Sequence, residues 1–345
     1  MDKIIDINNR SNNFDFLRLL FSSLVIISHS YPLTNKPEII DELTKGQLSL
    51  GSLSVNCFFI MSGYLIMTSL QRSKTPQEYM WKRILRLYPA YLILLLLTML
   101  FLPIVYQGKN IFHEETYWSY FPNALSLYKI QYEVKGIFES NPYPRAINGS
   151  LWSLSYEFTM YIALLLLFPL RKYKYLKVIV IIIFLSSFYC SITETHFLGN
   201  TMKKIYLLPI EFYRLCTYFI AGSVLVFIKF QKINNFLVRC LLFASLIMSL
   251  YFGFYKYVSP FLLPLLILLI GVNKDKYISS IGEKIGDISY GVYIYAFIVQ
   301  QALMYYFGLG TLPLMLASII ITYILAYASW HLIEKKMLTY KNLVR

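Results

Sequence analysis

Along almost its whole 345 residues the chain alternates between apolar runs near 20 residues long and short polar connections. A run of about 20 apolar residues is what an α-helix needs to cross the hydrocarbon core of a bilayer. In lipid, every backbone N–H and C=O must be satisfied within the segment, so lone apolar runs are helices. A transmembrane barrel would show short alternating segments instead. Spans are expected at roughly 14–31, 50–70, 87–107, 149–170, 175–192, 207–229, 236–254, 257–272, 288–308 and 311–333. The expected fold class is therefore all-α, a polytopic membrane helix bundle of about ten transmembrane helices. Only 14% of residues are charged, against roughly 25% in soluble proteins.

The net charge of +14 would in a soluble protein raise the question of nucleic acid. Here the lysines and arginines gather between apolar runs, so they set topology, and no nucleic-acid partner is expected. The excess falls on alternate connections, among them Lys3 and Arg10, Lys82 to Arg86, Arg171 to Lys177, Lys274 and Lys276, and Lys335 to Arg345. The positive-inside rule then places both termini in the cytoplasm. No cleavable signal precedes the first span, which carries Asp15 and Arg18. The four cysteines show no CxxC spacing and read as small buried hydrophobes, so neither a disulfide framework nor a metal is expected. The long connection 108–148 falls outside. It holds HEETYWSYFPNALSLYK and SNPYPR, which read equally well as an interfacial aromatic segment or as a cover for substrate.

Polar groups within the spans carry the chemistry, because a charge at membrane depth needs protein or water to receive it. In DFLRLLFSSLVIISH, residues Asp15, Arg18, Ser22 and His29 fall within about 60° on one helical face. Arg18 lies toward the inside and His29 about 16 Å further along the axis. Histidine is neutral near pH 7 and can still take or deliver a proton. In SLWSLSYEF and the residues after it, Ser150, Ser153, Glu157 and Tyr161 again share one face. Glu157 is expected in the outer half with His29, where it could orient the imidazole or contact an acceptor hydroxyl. Arg83 and Arg86, one turn apart before the third span, read either as a positive-inside anchor or, with Arg18, as a mouth that grips phosphate. A phosphorylated donor coming from the cytoplasm would meet arginines first and the histidine deeper, at about the length of a pantetheine arm.

These residues resemble the acyltransferase-3 family of integral-membrane acyltransferases, and the resemblance covers essentially the whole chain. Arg18 and His29 match its arginine, ten residues, histidine motif. FFIMSGYLI (58–66) is similar to its aromatic-SG stretch, KRILRLYPAY supplies its paired arginines, and SLWSLSYEF carries its acidic residue as Glu157. RLCTYFIAGSVL, SYGVYIYAF and WHLIEK echo further segments. In the ninth span Ala296 stands where the family often has a histidine, so that role is not carried over and His29 is left as the candidate base. The resemblance implies a single membrane domain over 1–345 with no appended extracytoplasmic domain, acetyl-CoA as acyl donor, and a cell-surface or lipid-linked glycan as acceptor. It also implies a place in the bacterial cytoplasmic membrane.

The resulting expectation is a membrane O-acetyltransferase in which Arg18, Arg83 and Arg86 hold the CoA phosphates. His29 acts as general base or transient acyl carrier, Glu157 positions it or the acceptor, and Asp15 pairs with Arg18. Ser153, Tyr161, Arg214, Tyr290 and Tyr293 are expected to contact substrate, although the spacing of Glu211 and Arg214 equally favours a local ion pair. Ser62 lacks a partner nearby in sequence. The alternative class is a transporter or flippase of a glycan or lipid-linked precursor, since intramembrane charges also mark substrate paths. Such proteins often carry repeats or paired broken helices, and no internal repeat is visible.

Overall fold

The computed structural model describes residues 12–275 and 277–344, so Lys3, Arg10, Lys276 and Arg345 lie outside the described residues. Within them the protein is helical, with isolated bridges but no strand. The main helices are α1 (Phe14–Leu33), α2 (Leu50–Arg72), α3 (Pro76–Phe101), α4 (Trp152–Leu166), α5 (Tyr175–Ile192), α6 (Pro209–Leu225), α7 (Phe236–Tyr251), α8 (Tyr255–Gly271), α9 (Ser289–Phe307) and α10 (Thr311–Ser329). Each falls on one of the expected segments. By length and composition α1, α2, α3, α5 and the α10 segment qualify as membrane crossings. The other five measure 15 to 19 residues. The expected segment 149–170 is broken because Pro169 cannot continue the ladder: α4 is flanked by 3-10 turns at Gly149–Leu151 and Phe168–Leu170. Large apolar side chains left exposed on α5, α7 and α10, such as Val178, Ile182, Leu241, Ile320 and Ile324, are those of a surface that meets lipid.

Local sequence fixes the helix starts. Ser49 and Ser52 form a reciprocal capping box at the start of α2, and Glu38 takes up the free Leu50 N–H at 2.5 Å. Thr75 caps α3 ahead of Pro76. Asn13 ties the start of α1 to α8 through the carbonyl of Ile270 and the carboxylate of Asp275.

The centre of the bundle is the crossing of α2 and α6. A Cβ on Gly63 would lie 1.8 Å from the carbonyl oxygen of Phe219, and one on Gly222 would lie 2.1 Å from that of Ile60. Backbone meets backbone from both sides, an approach that small residues alone permit. Gly222→Val should therefore abolish assembly, seen as loss of a monodisperse peak in detergent gel filtration, whereas Ser223→Ala should leave the peak in place.

The connection 108–148 is folded against the bundle. Its helix Glu115–Leu125 buries Tyr117, Tyr120 and Ala124, and Val134, Ile137 and Phe138 join the same core. Tyr91 on α3 donates to the carbonyl of Ala124 at 2.8 Å. The segment thereby forms a built cap over one end of the bundle.

Candidate active site

The starts of α1 and α3, the turn before α9 and the carboxyl-terminal helical segment converge at the other end, here called the basic end. Trp81 at the start of α3 donates to the carbonyl of Tyr340 and closes this side. Between these elements lies a cavity of about 460 Å³, within the usual range for a small-molecule site. Asp15, Arg18, Lys82, Arg83, Arg86, Asp287 and Lys341 surround its mouth, and Ser62, Ser153, Glu157, Tyr161, Tyr290 and Tyr293 line it further in.

The mouth is an ion network organised by one carboxylate. Asp287 accepts from Arg86 at 2.7 Å and from Arg18 at 3.0 Å, and Ser289 donates to its second oxygen at 2.6 Å. Arg18 also pairs with Asp15 at 2.9 Å, as the spacing of three predicts. Burial alone would raise the Asp287 carboxyl, but Arg86 and Arg18 outweigh it and hold the group down at about 2. Arg86 further lies 5.9 Å from the Trp330 ring.

Arg83 differs from its neighbours. Among the described residues it has no carboxylate partner: one terminal nitrogen donates to Ser69 at 3.3 Å, and the buried Nε bonds to nothing. The guanidinium lies about 6 Å from the rings of Tyr79 and Tyr161. A half-buried guanidinium that no carboxylate pairs directly, facing a cavity in which Glu157 is the nearby acidic group, can take a further anion.

The inner half is polar and hydroxyl-rich. Glu157 accepts from Ser62 at 2.8 Å and from the hydroxyl of Tyr161. Ser153 and Tyr293 bond at 2.7 Å, and Tyr293 donates on to the carbonyl of Ser150. Phe58 packs edge-on against Tyr293 with ring centroids 5.7 Å apart, and both rings line the cavity. The arrangement can hold a ligand whose anionic end sits at the mouth and whose neutral polar arm runs inward.

Of the expected site residues, Asp15, Arg18, Arg83, Arg86, Ser153, Glu157, Tyr161, Tyr290 and Tyr293 gather around this cavity. His29 and Arg214 do not. Arg214 is engaged by Glu211, at 2.6 Å, and by Asn56 on α2, so the local ion pair is the arrangement found. No hydrogen bond joins Glu157 to His29; one Glu157 oxygen accepts from both Ser62 and Tyr161. His29 does not line this cavity; it is half-buried, with its ring edge-on to Phe297 at 5.2 Å and its Nδ1 buried without a hydrogen-bond partner. Among the described residues no three His, Cys, Asp or Glu side chains gather as a metal site requires.

Residues 11–331 match the acyltransferase domain family. The chain belongs to the acyltransferase-3 family. This acyltransferase is 29% identical over 348 aligned positions to the O-acetyl transferase of Shigella phage Sf6, covering 96% of this chain and 97% of that protein. It is 28% identical over 169 positions to nodulation protein 10 of Rhizobium leguminosarum bv. viciae, covering 47% of this chain and 46% of the relative. No solved structure matches it significantly. Family and apolar helices together make it a membrane O-acyltransferase.

Two residues of the acyltransferase's site were missed or undervalued in the sequence. Asp287 lies 201 positions from the arginine it binds, and no local pattern joins them. Ser62 finds its partner, Glu157, 95 positions away.

Proposed function

We propose that the enzyme moves an acetyl group from acetyl-CoA to a hydroxyl of a cell-surface or lipid-linked glycan. In this reading the basic end faces the cytoplasm of a bacterial membrane, both termini lie there, and the ten main helices cross the bilayer. The observation that carries it is Arg83, with no carboxylate in direct contact among the described residues, at the mouth of a cavity of about 460 Å³. Arg83, with Arg18 and Arg86, binds the donor's phosphates, while Asp15 and Asp287 hold the latter two in place. Ser153, Tyr161, Tyr290 and Tyr293 line the course of the neutral arm, and Glu157 fixes the Ser62 and Tyr161 hydroxyls. Topology agrees with this direction, since Asp15 near one end of the chain and Lys341 near the other flank the same mouth. The similarity to the phage O-acetyl transferase supports acetyl as the group moved.

In the transfer step His29 takes the proton of the acceptor hydroxyl as the oxygen attacks the thioester carbonyl. The carbon–sulfur bond breaks, and the CoA thiolate leaves and recovers the proton. Labelled acetyl-CoA supplied to membranes containing the enzyme should give labelled glycan, with a mass increment of one acetyl group. Glycan that crosses the membrane unmodified, with no label transferred, would instead identify a transporter.

A further inference from the structure

The cap over the outer end contains a segment that the donor site does not explain. Residues 141–150 are bonded to α9 at several points, most of them buried. Gln301, fully buried, donates to the carbonyls of Tyr143 at 2.9 Å and Ala146 at 2.7 Å, while its own side-chain oxygen accepts from Asn141 at 2.8 Å. Asn148 donates to the carbonyl of Ile294 at 2.8 Å. Buried amides satisfied this fully impose one geometry on the segment they hold.

Between these anchors only the tip Pro142-Tyr143-Pro144-Arg145 faces outward. Prolines on both sides of the tyrosine restrict the backbone, and Arg145 adopts a left-handed φ of 67°, a conformation that costs a non-glycine residue about 1–2 kcal/mol. The chain thus maintains strain and rigidity to present one aromatic ring. Tyr143 is 46% exposed, and its ring packs edge-on against Phe297, the ring that covers His29. Gly149 completes the stack, because a Cβ there would meet the Phe297 ring at 2.7 Å.

We infer that Tyr143 is the acceptor platform, on which a neutral sugar ring stacks next to the Phe297 ring that packs on His29. A rigid tyrosine offers a large amphipathic face at little entropic cost, matching the apolar face and hydroxyl rim of a pyranose. The charge on Arg145 is answered by Glu139 at 3.7 Å and Glu133 at 3.9 Å, so the tip favours an uncharged ring over an acidic one. This inference rests on the proposed transfer to a glycan and adds which surface receives it.

The side chain of Tyr143 can be changed without touching the wiring, because Gln301 binds its backbone carbonyl. The test uses the full chain in nanodiscs and de-O-acetylated surface oligosaccharide from the cells that make the protein. Binding is measured without donor by saturation-transfer NMR, and the acceptor KM with acetyl-CoA present. Tyr143→Ala should weaken oligosaccharide binding and raise the acceptor KM about tenfold, one anchoring contact's worth, with donor KM unchanged and Tyr143→Trp restoring both. Unchanged binding by Tyr143→Ala, or a donor KM that moves in parallel, would overturn the platform. Wild-type protein that binds oligosaccharide through Tyr143 but transfers no acetyl would uphold the platform and refute the proposed donor.

Discussion

Replacing His29 with alanine is expected to lower acetyl transfer by about 10²-fold or more, the usual contribution of a positioned general base. The expectation follows from what surrounds the ring. Phe297 fixes its orientation at 5.2 Å, and Nδ1 is buried with no partner of its own. A buried polar atom left unbonded costs about 1–3 kcal/mol, a cost that an acceptor hydroxyl would relieve when it arrives. His29 is not among the residues lining the proposed donor cavity, so His29→Ala should leave the donor KM near its wild-type value while kcat falls. Label transfer in membranes matched for protein amount reads both quantities. Activity above a tenth of wild type would remove His29 from the chemistry.

The second large effect is expected at Asp287. One of its oxygens bridges Arg18 and Arg86 at 3.0 and 2.7 Å, and its side chain is only 15% exposed. Asp287→Ala leaves Arg86 without its ion pair and Arg18 with Asp15 alone, and removing one partner from a buried ion network typically costs about 3–5 kcal/mol. The melting temperature in detergent should fall clearly, and the donor KM should rise because the arginines lose their positions. Asp287→Glu should recover part of both. The same carboxylate gives a pH signature. Its folded-state value of about 2 lies below the ordinary 3.8, so its stabilisation is fully present above about pH 4 and is lost as pH falls toward 2. The difference is worth about 2 kcal/mol. Melting curves of wild type should therefore lose stability between pH 4 and 2 more than those of Asp287→Ala.

How much of this was legible in the sequence depended on whether the information was local. Apolar runs near 20 residues fixed the helical class, because bilayer thickness sets helix length irrespective of packing. The polar faces of α1 and α4 were legible for the same reason: a spacing of three or four residues is a helical surface whatever it touches. Asp15 with Arg18, and Glu211 with Arg214, follow that rule directly. What periodicity cannot supply is the rotation of one helix against another. It placed Glu157 at the depth of His29, yet α4 turns that carboxylate toward Ser62 on α2. It also put Arg18 and His29 on one stripe, yet of the two only Arg18 lines the cavity. Asp287 sits in a turn, outside any periodic pattern.

In the proposed reading the basic cavity binds the nucleotide end of an acyl-CoA, and Arg83, which no carboxylate pairs directly among the described residues, grips its phosphates. The most direct measurement is the affinity of CoA for purified protein, wild type against Arg83→Ala, by titration calorimetry at low salt. Wild type should bind CoA, and Arg83→Ala should bind at least about tenfold more weakly, the cost of one charge-assisted phosphate contact, with Arg83→Lys between them. Equal CoA affinity in wild type and Arg83→Ala would contradict it.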